Sequence, residues 1–380
     1  MMTKPTQFET RAIQATEPHD DETGSVANAI YPSTTFKRET DGTFKSGYIY
    51  SRKANPNRSL LESALATIEE GEFALAFASG MAAINTVLQS LKPGDHVIVP
   101  DDAYYEVRRT LGELFSTWHL AHTQVDMTDH EAIKAAIKPN TQLIWIESPS
   151  NPLLKVTDIK TVADLAHAND ALCIVDNTWC TPVLQRPLAL GADAVMYSTT
   201  KYYGGHSDSL SGALVLNPAA PESFKAQLKN IQNLSGAVPS AFDAWLITRG
   251  IKTLKLRVMQ QVSNAQKLAE FFAQHDAVDA VHFPDLANHP QHELATRQMP
   301  DGCGAMISIQ VGSGREAAMA VIAKLQLFTP ATSLGGVESL VEHRKSVEDA
   351  LSQTPENLIR ISVGIEHIDD LMADWQNALS

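Results

Sequence analysis

The chain is poor in cysteine, in positive charge and in long apolar stretches. It has only three cysteines in 380 residues, Cys173, Cys180 and Cys303. An odd number spread so thinly does not build a disulfide scaffold and points to a reducing compartment. Cys173 and Cys180 also lack the paired spacing of a zinc site. Lysine plus arginine number 30 against 44 aspartate plus glutamate, a net charge of −14. So small a cationic complement argues against general nucleic-acid binding, which draws on many phosphate contacts. It leaves room for a pocket in which one arginine meets a small anion. The longest apolar run, Phe73 to Ile84, is interrupted by Ser79 and Gly80 and is too short to cross a bilayer. The N-terminal Met-Met-Thr-Lys-Pro-Thr-Gln has no apolar core of the kind a secretory signal needs. Together these absences give the expectation of a cytoplasmic protein with no membrane or nucleic-acid partner. Hydrophobic residues at 44% and charged residues at 19% are ordinary for a packed globular chain.

Residues 1 to 58 carry no sustained helical or strand period and read as an extended arm, rich in Thr, Asp, Ser, Pro and Asn. An arm this long is expected to lie on a neighbouring subunit. From Ser59 the texture changes. Leu60, Leu61, Ala64, Leu65 and Ile68 recur at helical spacing and stop before Gly71. Strands are predicted at 73–78, 96–100, 120–125, 143–147, 172–176, 194–198 and 213–216. Helices are predicted at 80–91, 106–115, 130–137, 159–168 and 220–233. That alternation predicts an α/β unit over 59–240, with a mainly parallel sheet covered on both faces and a ligand at the carboxyl ends of its strands. From 241 to 380 the pattern is helix-heavy, with a long helix at 251–274, strands at 278–283, 306–310 and 359–363, and helices at 315–324 and 368–379. It reads as a smaller α+β domain.

Three positions carry candidate chemistry. Lys201 follows the strand 194–198, between Ser198-Thr199-Thr200 and a glycine pair, where an amine can form a Schiff base with a carbonyl cofactor. Asp176 ends the strand 172–176, where a carboxylate can hold a pyridinium nitrogen protonated. The two lie one strand–helix–strand crossover apart and would emerge at one sheet edge. Ala78-Ser79-Gly80-Met81 marks a strand-to-helix turn whose free N–H groups suit a phosphate, with Ser198 and Thr200 completing a cup. His289 and His292 flank Pro290 in a loop and are not read as metal ligands; no metal site is expected. His206 reads as a loop-stabilising residue, and Cys303, between glycines, as turn packing.

These stretches occur with Tyr50-Ser51-Arg52, Asn55-Pro56, Pro100-Asp101-Asp102-Ala103-Tyr104, Glu147-Ser148-Pro149-Ser150-Asn151-Pro152, Ser333-Leu334-Gly335-Gly336 and Arg360-Ile361-Ser362. In that order, over nearly the whole chain, they resemble the Cys/Met-metabolism family of pyridoxal-phosphate enzymes, which includes cystathionine γ-synthases, cystathionine β- and γ-lyases and methionine γ-lyases. The resemblance implies the aspartate-aminotransferase-like type I fold with a seven-stranded sheet, pyridoxal 5'-phosphate as cofactor and a homotetramer built from catalytic dimers. It also implies the roles. Lys201 would carry the cofactor and shuttle the α-proton, Asp176 would pair with the ring nitrogen, and Tyr104 would stack on the ring. Gly80, Met81, Ser198 and Thr200 would cradle the phosphate, with Tyr50 and Arg52 reaching it from the neighbouring subunit. Arg360 would bind the substrate α-carboxylate, with Asn151 and Ser333 lining the same pocket.

The implied activity is carbon–sulfur bond cleavage in a cystathionine-like amino acid, by elimination through an external aldimine. A cystathionine γ-synthase, replacing the acyl group of an O-acylhomoserine with cysteine, and a non-catalytic paralogue are the alternatives. The chain departs from the family pattern at Tyr105-Glu106, where many relatives carry glycines, and at Thr332 and Ile49, where acidic residues are common. Loss of those two carboxylates weakens recognition of a distal ammonium, so the choice between β and γ chemistry stays open.

Overall fold

In the computed structural model, which describes residues 7–17, 23–348 and 352–380, the strands of the first sheet are short and, apart from the edge strand Ala121–Val125, largely buried. They are β1 (Phe73–Phe77), β2 (His96–Pro100), β3 (Ala121–Val125), β4 (Thr141–Glu147), β5 (Leu172–Asp176), β6 (Ala194–Tyr197) and β7 (Gly212–Leu216). Their order is β1-β7-β6-β5-β4-β2-β3. Strands β3, β2, β4, β5 and β6 run parallel, and β7 runs antiparallel to both of its neighbours. Continuous apolar runs such as Val97-Ile98-Val99 and Leu143-Ile144-Trp145-Ile146 have no solvent face, as expected of central strands covered on both sides by helices. Each predicted strand is present, with ends shifted by at most two residues. Polar caps fix several of the crossover helices. Ser79 accepts from Ala82 N–H at the start of helix Gly80–Gln89, and Asp158 from Thr161 N–H at the start of Ile159–His167.

The second sheet comprises β8 (Ala280–His282), β9 (Met306–Gln310), β10 (Thr329–Pro330), β11 (Leu340–His343) and β12 (Leu358–Ser362), ordered β10-β11-β12-β9-β8. The pairing of β11 with β12 sets Glu342 opposite Arg360.

The structure corrects three expectations. The arm is not wholly extended: Phe8–Gln14 is a helix with Ala12 buried, and Arg11 pairs with Glu70 at 3.0 Å. Seven residues are too few for a period to stand out. Residues 1–6 and 18–22 of the arm lie outside the described residues. The helix predicted at 106–115 begins as Tyr105–Arg109 and widens to i→i+5 turns over Thr110–Leu114. The long helix predicted at 251–274 is the second of two, Ala241–Ile251 and Leu254–Ala273. Gly250 packs so closely on the loop after Lys201 that a Cβ there would lie 2.2 Å from Tyr203 O. Arg257 then takes the Gly250 carbonyl (Nη2, 2.8 Å) and the Tyr202 carbonyl (Nη1, 2.7 Å). The break thus ties the helix pair to the backbone beside Lys201.

Candidate active site

The carboxyl ends of β4, β5 and β6 face residues of the second sheet across a cavity of about 280 Å³. All of the site residues expected from the sequence line it, apart from Tyr50 and Arg52. Lys201 enters from the turn after β6, where its N–H bonds to Ser198 O. Its Nζ donates to Ser333 Oγ at 2.6 Å. Burial, followed by the positive charge of Arg360, pulls its amine down to about 8. An amine so lowered is partly neutral near physiological pH, the state in which it can attack a carbonyl.

Asp176 lies at the end of β5, in register with Glu147 at the end of β4. Its Oδ1 accepts from Thr178 N–H at 2.9 Å, and Thr178 Oγ1 in turn accepts from Ser198 N–H at 2.9 Å. Burial raises its carboxyl to about 6. Glu147 is raised well above the usual carboxylate range, first by burial and then by the charge of Asp176. Glu147 Oε2 accepts from Tyr104 N–H at 2.7 Å and thereby anchors the start of the Tyr104–Tyr105 segment. The two rings meet edge to face, with centroids 5.2 Å apart.

At the far end, Ser79 bonds the N–H of Ala82 through its side chain and that of Ala83 through its carbonyl. The N–H groups of Gly80 and Met81 lie at the positions where a helix has no partner of its own. A Cβ on Gly80 would stand 3.1 Å from Ser198 Cβ and 3.2 Å from its Oγ, so a larger residue would crowd this corner unless Ser198 gave way. Thr200 Oγ1 braces the loop by accepting from Ser211 N–H at 3.0 Å.

Opposite, Arg360 is buried on β12. Its Nη2 pairs with Glu342 Oε2 at 2.7 Å and donates to Ser333 O at 3.3 Å, and its Nη1 donates to Asn151 Oδ1 at 3.1 Å. Burial and the nearby Arg344 lower it to about 10, which leaves it cationic.

Tyr50 and Arg52 are exposed on the arm and do not reach the cavity of their own chain. Arg52 Nη1 donates to Asn233 O at 2.7 Å. Thr332 and Tyr105, noted in the sequence as departures, both line the cavity, whereas Ile49 is exposed. Sequence reasoning missed Glu147, Thr178, Trp179 and Arg344 as lining residues. Glu147 opens a stretch already singled out, and Thr178 lies two residues beyond Asp176. Arg344 follows a strand that had not been predicted, so nothing local marked it. His206 Nδ1 lies 2.8 Å from Gly204 O, within the loop it was expected to stabilise.

A family model for Cys/Met metabolism PLP-dependent enzymes matches residues 9–380. The chain belongs to this family. It is 47% identical over 376 residues to cystathionine gamma-synthase of Mycobacterium tuberculosis, covering 97% of this chain and 96% of that one. It is 40% identical over 385 residues to cystathionine beta-lyase of Coxiella burnetii, covering 99% and 98%. Among solved structures, cystathionine gamma synthase from Xanthomonas oryzae pv. oryzae in complex with aminoacrylate and cysteine superposes with a TM-score of 0.94 at 40% identity, covering 99% and 98%. Membership makes this a pyridoxal-phosphate enzyme with the type I fold. Its residues fit the cofactor: an amine-bearing side chain, a buried carboxylate for a ring nitrogen, and a glycine-walled helix start for a phosphate share one cavity. Among the described residues, no helix is long and apolar enough to cross a membrane.

Proposed function

We propose that the protein is a cytoplasmic transsulfuration enzyme that breaks the carbon–sulfur bond of cystathionine-like amino acids. The observation that carries this reading is the meeting of Lys201, Asp176 and Arg360 around one cavity, with Lys201 Nζ held 2.6 Å from Ser333 Oγ. Bound there, pyridoxal phosphate supplies an electron sink for the pair left behind when the substrate's α-proton is removed. Asp176, at the end of β5 and lining the cavity, would hold the proton on the ring nitrogen. Lys201 takes the α-proton and returns it, with Ser333 orienting its amine. Sulfur leaving from Cβ requires that single abstraction; sulfur leaving from Cγ requires the same amine to take a second proton, from Cβ. Arg360, aligned by Glu342 and Asn151, binds the substrate carboxylate. Tyr104, which lines the cavity, would cover the ring and exclude water from that face.

Gly80, Met81, Ser198 and Thr200 are assigned to the phosphate, and Tyr50 and Arg52 of the arm to the phosphate of a neighbouring subunit. Their exposure on the isolated chain supports that assignment, as does the cavity's lack of an arm residue. The catalytic unit is then a dimer, pairing into a tetramer, with an arm (1–58), a cofactor domain (59–240) and a C-terminal domain (241–380).

A second reading is γ-synthase activity on an O-acylhomoserine with cysteine; the 47% identity to the mycobacterial synthase favours it. A product screen separates the two. Homocysteine and pyruvate from cystathionine mean β-lyase, and cysteine and 2-oxobutyrate mean γ-lyase. Cystathionine made from O-succinylhomoserine and cysteine means synthase. No product from any of these substrates would overturn both readings.

A further inference from the structure

Arg344 lines the cavity beside Arg360 and is held on three sides. Its Nε donates to Glu348 Oε1 at 2.7 Å and its Nη1 to Glu342 Oε2 at 3.2 Å. Its Cζ lies 5.4 Å from the Tyr105 ring centroid. The arginine side chain is 4% exposed, Glu342 7% and Glu348 2%. Yet Nη2, the outer corner of this fixed fork, is buried without a hydrogen-bond partner among the described residues. A buried charged donor with no acceptor is unfavourable, and such a group in a native structure calls for a partner, whether a water, an ion or a ligand.

Arg360 shows the converse. Each terminal guanidinium nitrogen carries two N–H groups. Both of those on Nη2 are taken, by Glu342 and by Ser333 O, and Nη1 gives one to Asn151. Arg360 alone therefore cannot present the parallel pair of donors that a bidentate grip on a carboxylate requires. The two arginines share Glu342 Oε2, with Arg344 Nη1 at 3.2 Å and Arg360 Nη2 at 2.7 Å, so their guanidinium groups stand side by side on one carboxylate oxygen. A substrate carboxylate seated against both groups can accept a charge-assisted bond of about 2.8 Å from each.

We propose that the substrate α-carboxylate is gripped by both arginines, through the free Nη2 of Arg344 and the remaining Nη1 hydrogen of Arg360. This assignment rests on the reading of the protein as an amino-acid enzyme. Glu342 aligns the two cations, while Glu348 and Tyr105 keep Arg344 from swinging away.

The test uses the cofactor-loaded enzyme and its Arg344→Gln and Arg344→Lys variants, each titrated with glycine and with glycinamide and followed by cofactor absorbance. Arg344→Gln should weaken glycine by roughly tenfold or more, the scale of a lost charge-assisted contact, and leave glycinamide unchanged. Arg344→Lys, which keeps the charge but loses the fork, should fall between. Unchanged glycine affinity in Arg344→Gln would overturn the proposal, even if a substrate with a second carboxylate were weakened. Equal weakening of glycine and glycinamide would also overturn it, because Arg344 would then only hold the site together. If the wild-type spectrum does not respond to glycine, the amino-acid reading itself fails, and this proposal with it.

Discussion

Burial governs the titration of both Lys201 and Asp176, lowering the amine and raising the carboxyl. The amine stands at about 8 because burial and Arg360 both disfavour its charge. Capture of a carbonyl cofactor needs the neutral amine, so the second-order rate of pyridoxal-phosphate uptake by the cofactor-free protein should rise with pH and level off above about 8, which stopped-flow absorbance will record. The same shift has a stability consequence. Below about 8 the amine is charged in both folded and unfolded chains, and the full penalty of its burial is present. Between about 8 and the ordinary 10.5 only the unfolded chain holds the proton, so the penalty shrinks as pH rises. Lys201→Met should therefore raise the thermal midpoint of the cofactor-free protein at pH 7, by an amount that declines from pH 8 upward. The same variant should lack the protein-linked chromophore and lose activity by about 10²–10⁴-fold or more, the range of a missing proton-transfer group. Asp176→Asn, which cannot hold a ring proton by charge, should lower kcat by at least about a hundredfold while still loading cofactor. A variant that kept wild-type kcat would remove Asp176 from the mechanism.

At the level of elements, the site is a consequence of where strands stop. Parallel strands β4, β5 and β6 end together, so Glu147, Asp176 and the Ser198–Lys201 turn arrive at one edge. The apolar runs that give the strands and the polar residues that end them are both local, and for that reason this half of the site was legible from sequence. Gly212, on β7, brings its strand against the turn before the cofactor helix; a Cβ there would lie 2.3 Å from Ser79 O. Gly212→Ala should therefore destabilise the protein by about 1–3 kcal/mol in urea unfolding and weaken cofactor retention, because backbone rather than a flexible side chain must yield. The other half was less legible. Strand β11 went unpredicted because four residues, Leu-Val-Glu-His, with a buried glutamate and histidine, carry no period of their own. With it were lost Glu342, whose pair with Arg360 exists only because β11 lies beside β12, and Arg344, which pairs with Glu342 and Glu348 on its own segment. The break after Ile251 was equally hidden, since it depends on Arg257 reaching a carbonyl that the sequence does not place.

For the whole molecule, the exposed arm and the isolated cavity belong to one question. If Tyr50 and Arg52 serve a neighbouring subunit, Arg52→Ala and Lys201→Ala are inactive for reasons that lie on different chains. Mixed and reassembled in equal amounts, the two variants should recover about a quarter of wild-type activity, since half of the dimers are hybrids and one of their two sites is intact. Recovery indistinguishable from zero in hybrids verified by mass would place the arm in its own subunit's site. The sequence by itself determined the alternation of strands and helices, the positions of Lys201, Asp176 and Arg360, and the family, because each is written in short runs whose chemistry is local. Only the tertiary structure decided which charges face one another. The sharing of Glu342 by two arginines, the raised carboxyls of Glu147 and Asp176 and the lowered amine of Lys201 all arise from burial and from contacts between segments far apart in the chain. Neither period nor motif encodes them.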